Sequence, residues 1–587
     1  MIEARFDDLT PGGASFRLAV PAGVVEARRP DEVVGCLEAA RAAAARGLWV
    51  GGFVAYEAAP GLDPALVVRT REPGDPFEAL PLAWFAIFER REPATLAEPD
   101  EPGPGHPAWS PSASREEYGA AVGRIRELIA EGQTYQVNHT MRMRARIVGD
   151  ERGLYRDVSL AQRGAYSAYL NLGRYRVLSA SPELFFRIDG DRIATRPMKG
   201  TSPRGRFSEE DERAAASLVA SSKDRAENAM IVDLLRNDLG RIAVPGSVRV
   251  PEMFTPERYE TVWQLTSTIV ARLPSGVGLP EVFRALFPSG SVTGAPKIRT
   301  MELIAGLEDS PRGVYCGAVG FLAPPGADGP SAEFNVAIRT VVLDTEAGTA
   351  EYGTGGGITY GSDATAEYEE ALTKARVLAL RRPSFELLET IRHDPEDGFR
   401  HRDLHLTRMG ASASYFGFRF DARSVRETME KAVAGWQDGP ARLRVTLARD
   451  GTLEVSLSPA PQAPIGPLRV AIDDRAVDPW DALLFHKTTR RKLYEEALAR
   501  HPDADDVLLV NTRGEVTEST IANVAARLGG RWWTPALDCG LLPGTGRAEM
   551  IADGSLAERR ISVDELREVE EIALVSSVRG FRPAVLV

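Results

Sequence analysis

The stretch Arg196-Pro197-Met198-Lys199-Gly200-Thr201 organises the reading of this chain. Upstream lie an alternating apolar segment, Glu183-Leu184-Phe185-Phe186-Arg187-Ile188, and a polar hairpin, Asp189-Gly190-Asp191. Alternation followed by a glycine turn is a strand–turn–strand pattern. It predicts Lys199 at the end of a strand, just before a glycine. A lysine so placed is most often a solvated surface residue. Only its neighbours can give it another meaning.

With 587 residues the chain has room for about three to five structural domains. Hydrophobic (43%) and charged (26%) contents are those of ordinary globular protein. A net charge of −12 argues against a nucleic-acid binder, which carries a basic face. Cys36, Cys316 and Cys539 lie far apart, with no Cys-x-x-Cys and no His/Cys cluster. This suits a reducing compartment and argues against a thiolate zinc site by spacing. The N-terminus lacks a basic region followed by an apolar run, and no stretch approaches 18 uninterrupted apolar residues. The expectation is a cytoplasmic protein with neither membrane nor nucleic-acid partners.

Residues 1–92 alternate short apolar runs with an Ala-rich helix near 31–46. The Pro/Glu/Gly-rich stretch 93–112 reads as a loop or linker. Ser114 and Glu117 form a capping box for a helix with Tyr118, Val122, Ile125 and Ile129 at helical spacing, stopped by Gly132. A second break falls at Arg381-Arg382-Pro383. A proline-rich joint, residues 459–464, divides the tail. The expected domains are therefore 1–110, 111–381, 384–465 and 466–587, with no internal repeat.

Three segments after Lys199 look built for an anionic small molecule and a hard cation. Glu227 lies on a helix, one turn from Met230, bordering its apolar face. Tyr352-Gly353-Thr354-Gly355-Gly356-Gly357-Ile358 could turn successive backbone N–H groups towards a carboxylate, as a nest. Glu367 and Glu370 share a helix face. Magnesium takes oxygen ligands, keeps waters and needs one or two protein carboxylates. Glu227 with Glu370, and Glu367 through water, would serve; the competing reading pairs Glu370 with Lys374 at i+4.

The tail holds a second set. His405 and Arg408 lie on a helix, Lys487 precedes another, and Glu518 follows a hairpin at 511–515. Pyridoxal phosphate chemistry needs a lysine for the aldehyde, a carboxylate for the pyridine nitrogen, and cations or N–H groups for the phosphate. Lys487, Glu518 and Arg408 would supply these.

Longer motifs narrow both readings. Gly132-Gln133-Thr134-Tyr135-Gln136-Val137-Asn138, Leu178-Ser179-Ala180-Ser181-Pro182-Glu183, the Glu227 helix, Pro288 to Lys297, Tyr315-Cys316-Gly317, Phe334 to Thr340 and the glycine run through Lys374 together resemble the chorismate-utilising enzymes. That family includes anthranilate, aminodeoxychorismate, isochorismate and salicylate synthases. The resemblance covers about 110–381. Isochorismate synthases carry a water-activating lysine where this chain has Gln136. Anthranilate synthases carry alanine where it has Lys199, and aminodeoxychorismate synthases carry a lysine there. The resemblance implies Lys199 as a nucleophile and Glu227, Glu367 and Glu370 as a magnesium site. It further implies Tyr315, Arg339 and Thr293 on the substrate, with Gly355, Gly356 and Gly357 on its ring carboxylate. Met198 replaces the usual isoleucine. Gln264 stands where a histidine often lies near the leaving hydroxyl, and glutamine cannot be an acid near neutral pH.

His405-x-x-Arg408, Lys487, Thr517-Glu518 with Asn523, Leu542-Pro543-Gly544-Thr545 and Ser576-Ser577-Val578-Arg579-Gly580 resemble the fold-type IV pyridoxal phosphate enzymes. These include aminotransferases and 4-amino-4-deoxychorismate lyase. The resemblance implies phosphate contacts from Thr545 and Ser577 and a homodimer through this domain, which is shortened at its start. The fold class implied is α+β: large antiparallel sheets with outer helices, then a two-subdomain α/β domain. The joint implication is amination of chorismate at C4 followed by loss of pyruvate, giving 4-aminobenzoate. No cysteine sits on a Gly-x-Cys-x-Gly elbow, so ammonia would come from a separate glutamine amidotransferase or from solution. The alternative is an anthranilate-type synthase joined to an aminotransferase-like or degenerate module.

Overall fold

In a computed structural model, residues 2–99, 107–147, 149–380, 384–462 and 466–587 are described. The centre of the expected linker at 100–106, the break at Arg381-Arg382-Pro383 and the joint residues 463–464 lie outside them. Contacts divide the chain into two units. One is Met1–Pro203 with Ala215–Pro383, and the other is Arg204–Ala214 with Ser384–Val587. The class is α+β.

The first unit is built on an 18-stranded antiparallel network. Residues before 110 do not make a sheet of their own. Trp49–Val54 pairs with Ala318–Leu322, and Glu3–Asp7 with Tyr166–Asn171. Helix Arg115–Ala130 starts at Ser114, whose hydroxyl accepts from the Glu117 N–H at 3.2 Å while the Glu117 carboxylate takes the Ser114 N–H at 2.8 Å. Phe185, Phe186, Phe283, Phe287 and Phe334 form one aromatic core block beneath the strands that carry the site.

Two local readings change. Lys199 does not end a strand. It lies near the start of strand Met198–Pro203, which Pro197 separates from Arg192–Arg196 because proline gives no ladder N–H. Pairing against Val262–Arg272 steps from Met198↔Thr266 to Thr201↔Gln264, so Lys199 and Gly200 form a bulge, with Gly200 at φ +94°. The glycine run is not a loop nest either. It ends strand Thr349–Ile358, paired with Gln136–Arg146 through Gly355↔Thr140, Gly356↔His139 and Gly357↔Asn138.

In the second unit a four-stranded sheet spanning Leu387–Asp394 to Leu453–Pro459 carries helices Arg402–Phe416 and Ala422–Val433. An eight-stranded sheet follows, in which Leu468–Ile472 runs parallel to both Asp506–Val510 and Gly580–Leu586.

Candidate active sites

The first unit holds a polar cavity of about 400 Å³, bordered by Lys199, Glu227, Gln264, Tyr315, Arg339, Gly355–Gly357, Glu367 and Glu370. Residues expected from distant parts of the sequence therefore meet. The bulge re-aims Lys199 off the ladder, as bulges beside active sites do. Gly355 is sterically required, since a Cβ there would lie 2.1 Å from the His139 carbonyl oxygen. A Cβ at Gly357 would lie 2.1 Å from Gln136 Nε2 and 2.7 Å from Lys199 Nζ, and one at Gly353 would strike the Tyr315 ring at 2.1 Å. The neighbouring strand Thr340–Asp344 pairs only as far as Tyr352, so among the described residues the Gly353–Gly357 backbone has a strand on one edge alone. The expected carboxylate donors thus belong to an open strand edge.

Burial lowers the Lys199 pKa, and Lys374 lowers it further, against the opposing pull of Glu227, Glu183 and Glu370. A lysine so placed has a larger neutral fraction than a surface lysine. Gln136 is buried beside it, and among the described residues its Oε1 accepts no hydrogen bond. Glu183 is the residue that sequence reasoning left without a role. It lines the cavity, is 2% exposed, and accepts from Ser291 Oγ at 2.6 Å. Burial raises its pKa to about 7, with Ser291 and Lys199 only partly offsetting that. The Ser-Pro-Glu segment ahead of an apolar strand was the available signal.

The three expected metal carboxylates border the same cavity, but they do not converge to within 4.8 Å of one another as one ion's direct ligands would. Glu370 pairs with Lys374 at 2.7 Å, the competing reading of that helix. Glu367 accepts from Ser362 at 2.7 Å, and burial together with Glu370 raises its pKa. That like-charge pressure, on an all-oxygen donor set with room for water, fits a magnesium site held partly through water.

Arg339 has φ +53°, a conformation costing about 1–3 kcal/mol for a non-glycine residue, and its guanidinium donates to the Lys374 carbonyl, which Tyr352 also holds at 3.1 Å. Thr293 does not border the cavity. It is fully buried, and its hydroxyl donates to the Ser289 carbonyl at 3.0 Å. Beneath the site, Glu308 accepts from Arg312 at 2.6 Å and Arg142 at 3.3 Å, and Arg312 donates to the carbonyls of Val292 and Asn138, at 2.7 Å each. This buried network fixes two of the cavity's wall segments.

The second unit holds a cavity of about 260 Å³ where Lys487, Glu518, Arg408, Thr545 and Ser577 all meet. Burial and then Arg408 lower the Lys487 pKa to about 8. Burial raises that of Glu518 to about 7, although Tyr494 Oη (2.9 Å) and the Leu542 N–H (3.2 Å) donate to it. Arg408 is not free: Glu389 takes its Nε and Nη2 at 2.9 and 2.7 Å, and the Pro543 carbonyl takes Nη1 at 3.0 Å. Glu389 also holds His405 Nδ1 at 2.6 Å, leaving Nε2 towards Ser577 and Thr545, at 3.0 and 3.2 Å. Burial alone would raise the Glu389 pKa, but Arg408 and His405 bring it down to about 2. Thr545 opens helix Thr545–Ala552, so its first N–H groups join a polar cup. A lysine, a carboxylate and this cup fit pyridoxal phosphate. Arg442, Arg444 and Arg579 also border the cavity. The first two alternate along strand Ala441–Leu447, a same-face spacing that sequence reasoning passed over.

Comparison with known proteins places the chain. Residues 26–380 match the family described as chorismate binding enzyme, and residues 386–587 match amino-transferase class IV. The chain belongs to the chorismate binding enzymes and carries an amino-transferase class IV domain after the chorismate-binding one. It is 44% identical over 267 residues to aminodeoxychorismate synthase component 1 of Klebsiella aerogenes, a match covering 46% of this chain and 58% of that one. It is 40% identical over 300 residues to anthranilate synthase component 1 of Streptomyces coelicolor, covering 51% and 57%. The chain thus spans less than two thirds of the length of either relative. The crystal structure of anthranilate synthase component I from Streptococcus pneumoniae shares the fold at a TM-score of 0.54 with 24% identity, covering 63% of this chain and 93% of that one. Among the described residues no helix is long and apolar enough to cross a membrane.

Proposed function

We propose that this chain makes 4-aminobenzoate from chorismate and ammonia in two steps. The first replaces the C4 hydroxyl by an amino group, releasing water and giving 4-amino-4-deoxychorismate. The second eliminates pyruvate. The observation that carries the reading is the meeting of a depressed-pKa lysine, Lys199, with a raised-pKa acid, Glu183, in one cavity.

Neutral Lys199 attacks the chorismate ring at C2 while protonated Glu183 gives its proton to the departing C4 oxygen. This assigns to Glu183 the acid role that Gln264 cannot fill. Ammonia then adds at C4 and Lys199 leaves. Gln136 cannot activate water, so hydroxylation does not compete. Tyr315, Arg339 and the open edge at Gly355–Gly357 hold the two carboxylates. A magnesium ion on Glu227, Glu370 and, through water, Glu367 would neutralise a substrate carboxylate. Thr293 supports the wall from behind.

In the second unit, pyridoxal phosphate, when bound, withdraws electrons from the carbon bearing the substrate's amino group. Glu518 would pair with its pyridine nitrogen, while Arg408, Thr545 and Ser577 would hold its phosphate. Lys487 removes the C4 proton, and the enolpyruvyl oxygen leaves from C3. Arg442, Arg444 and Arg579 receive the carboxylates of the dianionic substrate. The relatives' designation as component 1 supports a separate glutamine amidotransferase as ammonia source, and the buried free cysteines suit a cytoplasmic setting.

The test incubates the purified chain with chorismate, magnesium, an ammonium salt and pyridoxal phosphate. Equal amounts of 4-aminobenzoate and pyruvate are expected. Anthranilate as the product would overturn the first step; 4-amino-4-deoxychorismate that persists would overturn the second.

A further inference from the structure

The second unit contains a piece from far upstream in the sequence. Arg204–Ala214, which follows the Lys199 strand, packs with Ser384–Val587. The piece is rigidly built. Arg204 makes a two-pronged pair with Asp211, at 2.7 Å on each side, and the Gly205 N–H joins Asp211 at 2.9 Å. Gly205 admits no side chain, because a Cβ there would lie 2.1 Å from the Asp211 nitrogen.

It is also bound firmly within its unit. Arg204 donates to the Tyr415 carbonyl at 3.0 Å, and Tyr415 Oη donates back to the Gly205 carbonyl at 2.7 Å. Arg206, itself 9% exposed, donates to the carbonyls of Pro479 and Asp538 at 3.1 and 3.2 Å. Phe207 packs against Phe485 with tilted rings whose centroids are 5.2 Å apart, and joins the core of Val477, Leu484, Phe485, Ala497, Val507 and Leu509. The Arg206 backbone lies against the His486 ring, which Ser412 holds at 2.9 Å; burial keeps that ring neutral, with a pKa of about 4.

Phe485 and His486 immediately precede Lys487. We propose that Arg204–Asp211 is a positioning element for Lys487: Arg206 and Phe207 form the floor on which the segment 482–487 rests. These contacts fall on the residues just before Lys487, while the Lys487 carbonyl accepts from the Leu388 N–H at 2.9 Å and the Thr489 N–H donates to the Glu386 carbonyl at 3.0 Å. Without the floor, the backbone that aims the lysine loses its packing, and local opening follows. The cofactor-binding part of this inference rests on the function proposed for Lys487.

The test uses the full chain carrying Phe207→Ala, with Phe207→Leu as the conservative rescue. Hydrogen exchange is followed in a peptide covering 482–490, with and without pyridoxal phosphate. Phe207→Ala should exchange there at least tenfold faster, and its cofactor absorbance should titrate at a shifted pH. Phe207→Leu should restore both, and chorismate consumption should stay at the parent rate. Parent-like exchange at 482–490 in Phe207→Ala overturns the inference. So does faster exchange spread evenly over the unit, which marks plain destabilisation. If Phe207→Ala does not fold, Arg206→Met decides by the same local exchange. A parent chain that acquires no absorbance band with pyridoxal phosphate refutes the role of Lys487 instead, leaving the exchange result to judge the floor.

Discussion

Ser291 donates its hydroxyl to the Glu183 carboxylate at 2.6 Å, inside the cavity that Lys199 also borders. One hydroxyl offsets little of the cost of burying a carboxylate, so the acid keeps its proton near pH 7. Glu183→Gln preserves shape and removes that proton. The amination rate should fall about 10²–10³-fold, with chorismate binding nearly unchanged. The parent rate should decline as pH rises through about 7. A variant with parent-like turnover would exclude Glu183 as the acid.

The same substitution has a stability signature. A raised pKa in the folded state means stability present at low pH and lost as pH rises through about 7. Glu183→Gln should therefore melt above the parent at alkaline pH, and the gap should close in acid. Melting curves at several pH values check the sign.

Lys199 must be neutral to act, and burial helps to make it so. Lys199→Ala should reduce 4-aminobenzoate formation to background. Lys199→Arg should not rescue it, because a guanidinium stays protonated. Restoration by arginine would show that only the positive charge mattered.

The two cavities should respond to different reagents. Chelation, or Glu227→Ala, should stop amination and leave conversion of supplied 4-amino-4-deoxychorismate intact. Lys487→Ala should do the reverse, with the amino intermediate accumulating and no pyruvate appearing. Loss of both activities on chelation would contradict this division.

Glu389 bridges half-buried Arg408 and buried His405, at 2.7 and 2.6 Å. Glu389→Gln leaves an arginine charge buried without its partner, which costs about 3–5 kcal/mol. Its pKa of about 2 lies below the ordinary value, so this stability is present above about pH 4.5 and lost as pH falls towards 2. Calorimetry on the second unit's transition measures both effects. An unchanged transition would mean that Arg408 finds another anion.

Local rules made much of this legible in the chain. The capping box at Ser114 and Glu117 starts its helix as expected, because it depends on residues three apart. Glu367 and Glu370 share a helix face for the same reason. The long motifs around Lys199 and Lys487 identify both domains, since each is a contiguous stretch.

Long-range pairing decided the rest. The bulge at Lys199 and Gly200 exists only in register with strand Val262–Arg272, so the sequence alone read that lysine as a strand end. The glycine run looked like a flexible nest until its partner, Gln136–Arg146, made it a strand whose missing side chains leave room for Gln136, Lys199 and Tyr315. Glu183 looked like an ordinary charged residue ahead of a strand. Its raised pKa comes from burial, and burial depends on what folds over a residue. Arg204–Ala214 carries no local mark of belonging with residues after 384. The sequence by itself determined which chemical groups this protein has and which families it resembles. Tertiary structure alone decided which of those groups share a low-dielectric cavity, and that controls which amines are neutral and which acids keep their protons.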